Sequence, residues 1–149
     1  MAYSLSMYQA VSIVLFIATK MEECRYEYLT TKSISGLLGI ATPTAVKIIN
    51  NLNVSGITMA KEGAKGGILL ARPLDQITLL DIFLALEHGR PLFKTGMNFN
   101  FDKADEDEWR PRLNILEDRV QGSLSSAEKA MKESLGNITI KDIMKDVMT

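Results

Sequence analysis

The chain has 149 residues, of which 46% are hydrophobic and 23% are charged, so it can bury a core and is too apolar for wholesale disorder. The net charge of −1 is uneven: residues 1–72 carry +3 and residues 73–149 carry −4, which permits a basic face on an acidic protein. A single cysteine, Cys24, excludes an intrachain disulfide and a cysteine cluster for zinc or iron–sulfur.

The first predicted element is a helix from Met7 to Met21 that is buried nearly all round, because apolar residues occupy most of its faces. Its apolar run, Ala10–Ala18, is too short to span a bilayer. The run has no basic segment before it and no small-residue cleavage site after it, so it is not a signal peptide. The sequence therefore predicts a cytoplasmic protein.

A short helix, a glycine turn and another helix follow. The second helix opens near Thr30–Thr31 and closes at Gly39, and the third opens with Thr42 as N-cap and Pro43 in its first turn. The apolar face of the third helix is predicted to hold Val46, Ile49 and Leu52, with Ile48 beside it. Its other faces hold Lys47, Asn50 and Asn51. This order is the helix-turn-helix pattern.

Two apolar runs, Ile57–Ala60 and Ile68–Ala71, then flank a connector rich in glycine and lysine, which predicts a β-hairpin. A hairpin directly after a helix-turn-helix is a wing. Glycines let the tip adopt positive φ and approach a neighbour closely, and lysines can reach phosphates. A plain solvated hairpin is the alternative. Arg72 is expected either to support the base of the wing or to touch a DNA backbone.

The remaining elements are helical. Thr78 caps a helix that Gly89 and Pro91 end, a connector with the acidic run Asp105–Glu108 follows, and a last short helix covers Thr139–Met148. Between them a long helix carries a heptad-like stripe of apolar residues: Trp109, Leu113, Leu116, Val120, Leu124, Ala127, Met131 and Leu135. The stripe needs a partner surface, either a second subunit or the chain's own domain.

Four segments in this order, "YQAVSIVLFIA", "TPTAVKIINNLNVSGI", "GAKGGILLARP" and "ITLLDIFLALEHG", resemble the Rrf2 family of bacterial winged-helix transcription regulators, the group of IscR, NsrR and CymR. The resemblance covers roughly residues 7–89; the C-terminal half matches only in kind. It implies a mainly α fold with a small β-hairpin. It also implies a winged helix-turn-helix domain at residues 1–89, a connector at 90–108, and a dimerisation helix with the last short helix at 109–149.

By the same resemblance, two subunits pair through the long helix, and the dimer, expected to be a repressor, binds a pseudo-palindromic operator in double-stranded DNA. The expected DNA-binding residues are Thr42, Pro43, Thr44, Lys47, Asn50, Asn51, Lys61, Lys65, Gly66 and Gly67. The expected dimerisation residues are Trp109, Leu113, Leu116, Val120, Leu124, Ala127 and Met131. A winged-helix module that binds a partner protein and no DNA is the alternative.

Many relatives hold an iron–sulfur cluster through three cysteines in the connector after the fourth helix. The matching connector of this chain has none, so no metal or cofactor is expected. Cys24 is interpreted as a small buried side chain, with redox sensing as the alternative. Trp109, Phe93, Phe99 and Phe101 are interpreted as packing residues, with an effector pocket as the alternative; any effector is unidentified. No enzyme is expected, because catalytic and phosphate-binding motifs are missing and the single His88 sits beside a helix end.

Overall fold

The computed structural model describes residues 3–23, 29–64, 66–93, 96 and 101–147. In chain order the elements are α1 (Tyr3–Glu22), α2 (Thr31–Leu38), α3 (Thr42–Val54), β1 (Thr58–Lys61), β2 (Gly67–Leu70), a 3-10 turn (Leu74–Gln76), α4 (Leu79–Glu87), α5 (Lys103–Gly136) and α6 (Ile140–Met144). The predicted mainly helical fold with one hairpin is confirmed. Within the described residues, no helix is both long and apolar enough to cross a membrane.

The chain forms two compact units. The winged unit comprises residues 1–89 and 135–149, and the arm unit comprises residues 90–134. The sequence grouped the last short helix with the arm, whereas the structure places it in the winged unit. The reason is burial: Ile140 of α6 is fully buried in the same core as the residues of α1 and α4.

Local signals set the ends of α2 and α4. Thr30 accepts a hydrogen bond from the backbone N–H of Ser33, and Gly39 ends α2 with a φ of 65°. Thr78 and Asp81 form the corresponding capping box of α4. The left-handed residue that ends α4 is His88, with a φ of 53°, and its N–H donates to the carbonyl of Leu84. The sequence predicted that Gly89 would end this helix, whereas His88, one residue earlier, is the residue at the cap.

The core of the winged unit lies between α1 and the helices that follow. One face of α1 is buried: Ala10, Ile13, Val14, Ile17 and Ala18. Burial of a side chain as large as isoleucine contributes about 1.5–3 kcal/mol. Within Met7–Met21, the helix predicted to be buried nearly all round, every residue except Tyr8 is buried or half-buried. Tyr8 is 74% exposed, and Leu5, which precedes the predicted start, is 61% exposed.

Two details of α3 differ from the sequence prediction. Its N-cap is Ala41, so Thr42 is the first helical residue. Val46, expected on the apolar face, is 41% exposed, and Ala45 is fully buried instead. Successive residues turn by about 100°, so positions 45, 48, 49 and 52 share one sector and position 46 falls about 60° outside it.

A short backbone bridge holds α6 against the start of α4. The N–H of Leu79 donates to the carbonyl of Ile138, and the N–H of Ile140 donates to the carbonyl of Ile77, both at 2.9 Å. The bridge joins two copies of the pattern Ile-Thr-x-x-Asp, at residues 77–81 and 138–142, and each Thr caps its own helix. Hydrogen bonds from Thr139, first from its backbone N–H, hold the pKa of Asp142 below its usual range.

Candidate nucleic-acid interface

The angle between α2 and α3 is set by Ser35, which is 6% exposed. Its hydroxyl donates to the carbonyl of Ile40 in the turn, and it lies 3.1 Å from the Oγ1 atom of Thr42 at the start of α3. Gly39 supplies the positive φ of the same turn. A buried hydroxyl that joins the turn to the next helix restrains the direction in which α3 points.

The outward side of α3 carries most of the predicted contact residues. Thr42, Pro43, Lys47 and Asn50 are exposed, and Thr44 and Asn51 are half-buried. Because the N-cap residue is Ala41, no N-cap side chain occupies the first N–H groups of the helix. Those groups and the Thr42 hydroxyl lie where an anion such as a phosphate is favoured.

The root of the wing is tied to α3 and α1. The hydroxyl of Thr58, which is 2% exposed, donates to the Oδ1 atom of Asn53 at 2.5 Å, so β1 is fastened to the last turn of α3. The N–H of Ile68 donates to the carbonyl of Leu29 at 2.8 Å, and the N–H of Leu70 lies 3.3 Å from the sulfur of Met21. The wing therefore starts from a fixed position relative to α3.

The backbone geometry at the tip of the wing requires glycine at two positions. Gly63 has a φ of 104°, which is unfavourable for residues with a side chain. Gly66 is buried, its N–H donates to the carbonyl of Gly63 at 2.9 Å, and a Cβ there would lie 2.2 Å from the carbonyl oxygen of Lys61. Gly66 thus packs closely against the backbone of the same wing, at Lys61. Gly67 is half-buried and pairs with Lys61 in the ladder, while the predicted Lys65 lies outside the described residues.

Arg72 supports the base of the wing. Its guanidinium donates to the carbonyls of Ser55 and Gly56 at 3.1 Å, to that of Gln76 at 3.3 Å, and to the Asp81 carboxylate at 3.3 Å. One side chain therefore joins the end of α3, the chain after the wing and the start of α4. The ion pairs of the described residues include Arg72 and leave out Lys47 and Lys61, so these two exposed lysines offer accessible positive charge on this face.

Replacing Arg72 by alanine is expected to lower the free energy of unfolding by about 2 kcal/mol, since a charged donor with several partners is lost. Urea denaturation of the purified variant measures the change. Arg72→Lys keeps the charge but not the planar fork, and we expect it to recover less than half of the loss. Arg119→Ala on α5 is the matched control and should be near neutral. A fully stable Arg72→Ala would contradict the role of Arg72 as a clamp.

The arm unit presents an apolar stripe on α5. Trp109, Leu116 and Val120 are 43%, 49% and 47% exposed, and Leu113 is buried. The remaining predicted members are half-buried or exposed: Leu124, Ala127, Met131. The Arg112 guanidinium lies over the Trp109 ring at 5.1 Å. The sequence prediction did not single out Ile115, which is 54% exposed and lies off the stripe.

A hydrogen bond fastens the connector to α5 within the arm unit. The N–H of Leu92 donates to the Oε1 atom of Glu128 at 2.9 Å, and the Lys132 ammonium lies 3.3 Å from the same oxygen. The hydrogen bond from Leu92 is the main reason that the pKa of Glu128 is lowered. The Glu128 carboxylate therefore joins the segment at Leu92 to α5.

Of the aromatic residues considered for an effector pocket, Phe93 and Phe101 are 38% and 37% exposed. Phe99 and Cys24 lie outside the described residues. For the aromatic residues, the alternatives of packing residues and an effector pocket both stay predictions. For Cys24, the alternatives of a small buried side chain and a redox sensor both stay predictions. In the part of the chain that the structure describes, no group of three or more His, Cys, Asp or Glu residues could hold a metal ion.

A helix-turn-helix followed at once by an anchored, glycine-tipped hairpin defines the winged helix-turn-helix class. The family model for Rrf2, described as iron-dependent transcriptional regulator, matches residues 3–146. The chain belongs to the Rrf2 family of transcriptional regulators, as its sequence motifs predicted.

The individual relatives share between 22% and 33% sequence identity with this chain. YwgB of Bacillus subtilis, an inferred HTH-type transcriptional regulator, is 33% identical over 81 residues, which are 54% of this chain and 50% of YwgB. The match thus spans about half of that relative's length. Among solved structures, IscR of T. potens has a TM-score of 0.65 at 22% identity, covering 95% of this chain and 85% of IscR. CymR of B. subtilis, a global cysteine regulator, has a TM-score of 0.58 at 22% identity, covering 93% and 92%. At these identities the two structures share the fold.

The donor set of this chain does not suit the iron that the family description names. An iron–sulfur cluster is held mainly by cysteine thiolates, with histidine in some centres. The sequence has one cysteine and one histidine, and the connector at residues 90–108 contains neither. These residues do not supply the ligand set of an iron–sulfur cluster.

Proposed function

We propose that the protein is a homodimeric, sequence-specific DNA-binding regulator that represses transcription at a pseudo-palindromic operator and works without an iron–sulfur cluster. One observation carries the proposal: the exposed polar side of α3 and the wing are fastened to each other, through Thr58 with Asn53 and through Arg72. A helix and a hairpin held in one fixed arrangement suit a rigid target such as a duplex.

In this proposal α3 enters the major groove. Lys47, Asn50 and Asn51 face base edges, where asparagine reads adenine and lysine meets guanine or phosphate. Thr42, Pro43 and Thr44 lie at the helix start, against a phosphate. Lys61 and Lys65 of the wing reach the backbone or the minor groove, and Gly66 and Gly67 shape the tip between them. Lys32 adds a contact that sequence reasoning missed: it is exposed on α2, the helix that crosses the DNA backbone in this class.

Pairing of two arm units would supply the symmetry. The exposed apolar stripe of α5 is proposed as a self-complementary dimer surface, since a two-fold interface uses the same patch on both subunits. The two recognition helices would then lie about 34–36 Å apart, one turn of DNA. Occupying an operator in this way would exclude other proteins from a promoter, which is repression in its simplest form.

A partner-protein module is the second candidate, because two apolar side chains are exposed near the same face. Val54 at the end of α3 is 87% exposed and Met59 on β1 is 48% exposed. Apolar side chains of this kind are typical of protein interfaces. This candidate predicts that the protein does not bind duplex DNA at all.

In vitro selection from random duplexes, followed by a salt series on the selected sequence, tests the proposal. We expect one pseudo-palindromic sequence to emerge and its affinity to fall steeply with salt, because each neutralised phosphate releases counterions. Binding to no duplex in dilute buffer would overturn the proposal and favour the partner-protein module.

Replacing Lys65 by alanine is expected to weaken binding to all duplexes alike. Loss of one phosphate contact in each subunit should reduce the slope of log affinity against log salt by about 1.8. Lys61→Ala should act in the same way. Lys129→Ala, on the exposed side of α5, is the control and should leave the slope unchanged. A change in sequence preference with an unchanged slope would contradict phosphate contact by the wing.

A further inference from the structure

Val46 is an aliphatic side chain on the outer side of the recognition helix. It is 41% exposed, although the sequence pattern placed it in the core. Pro43 and Asn50 lie three and four residues away, so all three are neighbours on the helix surface, and all are exposed. Val46 thus belongs to the surface that the proposed function assigns to DNA.

Folding of the chain alone does not account for a valine at this position. A β-branched residue is a poorer helix former than alanine, and a side chain that is 41% exposed gains less from burial than a core valine does. The position is the fifth residue of a 13-residue helix, in its N-terminal half. In this class of protein the N-terminal residues of the recognition helix are those that contact base edges.

The chemistry of the major groove offers one apolar partner for such a side chain. In the major groove thymine presents a methyl group at carbon 5 beside its O4 acceptor, and no other base carries a methyl group there. The polar neighbours of Val46 suit those other edges: Asn50 for adenine, and Lys47 for guanine or phosphate. An aliphatic side chain among them favours thymine over the other bases, because the contact removes the thymine methyl group from water.

We infer that Val46 is a specificity-determining residue that contacts the 5-methyl group of a thymine in each operator half-site. The inference rests on the proposed function, since it assigns a base to one position of the proposed DNA-binding helix. Val54 does not share this role. It is 87% exposed, but it is the last residue of α3, away from the end that reads bases.

Thymine-to-deoxyuridine substitution tests the inference with the full-length protein. Uracil keeps the pairing and the O4 acceptor of thymine and lacks only the methyl group. Each thymine of the duplex obtained by in vitro selection is replaced in turn, and affinity is measured for the wild type, Val46→Ala and Val54→Ala. Alanine is the better helix former, so Val46→Ala should fold, and a thermal melt checks that it does.

For the wild type and Val54→Ala, we expect one symmetry-related thymine position at which deoxyuridine weakens binding by about fourfold per half-site, the effect of about one buried methylene-sized group. Val46→Ala should bind thymine and deoxyuridine duplexes equally at that position. If Val46→Ala keeps the wild-type preference, or if the wild type shows none at any position, the inference is overturned while DNA binding stands. If the wild type binds no duplex, the proposed function fails and the inference fails with it.

Discussion

Replacing Leu116 and Val120 together by glutamate is expected to convert the proposed dimer into monomers and to lower affinity for the proposed operator at least about a hundredfold. The two side chains lie in the middle of the α5 stripe and are about half exposed in the single chain. In a two-fold dimer each residue occurs once in each subunit, so four side chains would be buried. Burial contributes about 1.5–3 kcal/mol per large apolar side chain. Four carboxylates in their place would have to lose water without a partner.

The loss of affinity follows from the geometry of binding. A dimer binds the second half-site at a high effective concentration once the first is bound, which raises affinity by about 10²–10⁴ over one subunit. Sedimentation velocity gives the oligomeric state, and a gel shift on the selected operator gives the affinity.

Ile115→Glu is the matched control for the stripe. Ile115 is 54% exposed on the same helix, one residue before Leu116, but it points about 150° away from the middle of the stripe. We expect this variant to remain dimeric with unchanged affinity. Dissociation caused by Ile115→Glu alone, or a dimer that survives Leu116→Glu with Val120→Glu, would contradict the proposed interface.

Replacing Gly66 by alanine is expected to distort the wing and to cost about 3 kcal/mol of stability, the upper part of the range for forcing an extra methyl group into a packed site. The added Cβ would stand 2.2 Å from the carbonyl oxygen of Lys61, and a backbone atom cannot turn aside as a flexible side chain can. Because Lys61 lies on the strand that must move, operator affinity should fall at least about tenfold together with stability. Thermal unfolding and a gel shift measure the two effects.

Gly36→Ala controls for the change from glycine to alanine. Gly36 is exposed within α2, and a Cβ there meets nothing within 4 Å. Alanine should therefore stabilise the protein by about 0.5–1 kcal/mol, since glycine loses more backbone entropy on folding. A Gly66→Ala variant with the same melting temperature as the wild type would show that the tip accommodates a side chain. The close packing of Gly66 against Lys61 would then not constrain the wing.

The order of elements, both ends of α2 and the start of α4 could be predicted from the sequence because the signals that set them act over a few residues. Thr30 caps through Ser33, three residues away, and Thr78 caps through Asp81 in the same way. The signal that predicted the hairpin was equally local, because a short glycine-rich connector joins its two strands. Hydrogen bonds and φ values of this kind need no distant partner.

The sequence by itself thus determined the winged helix-turn-helix fold and the polar side of α3. Only the tertiary structure decided that Val46 faces outward, that Arg72 joins three elements, and that α6 belongs to the winged unit. Each of these depends on residues far apart in the chain: Arg72 meets Ser55 across 17 positions, and Ile140 pairs with Ile77. A periodic pattern places an apolar stripe only to within about one residue, or 100° of helix rotation, and the neighbouring elements choose the final angle.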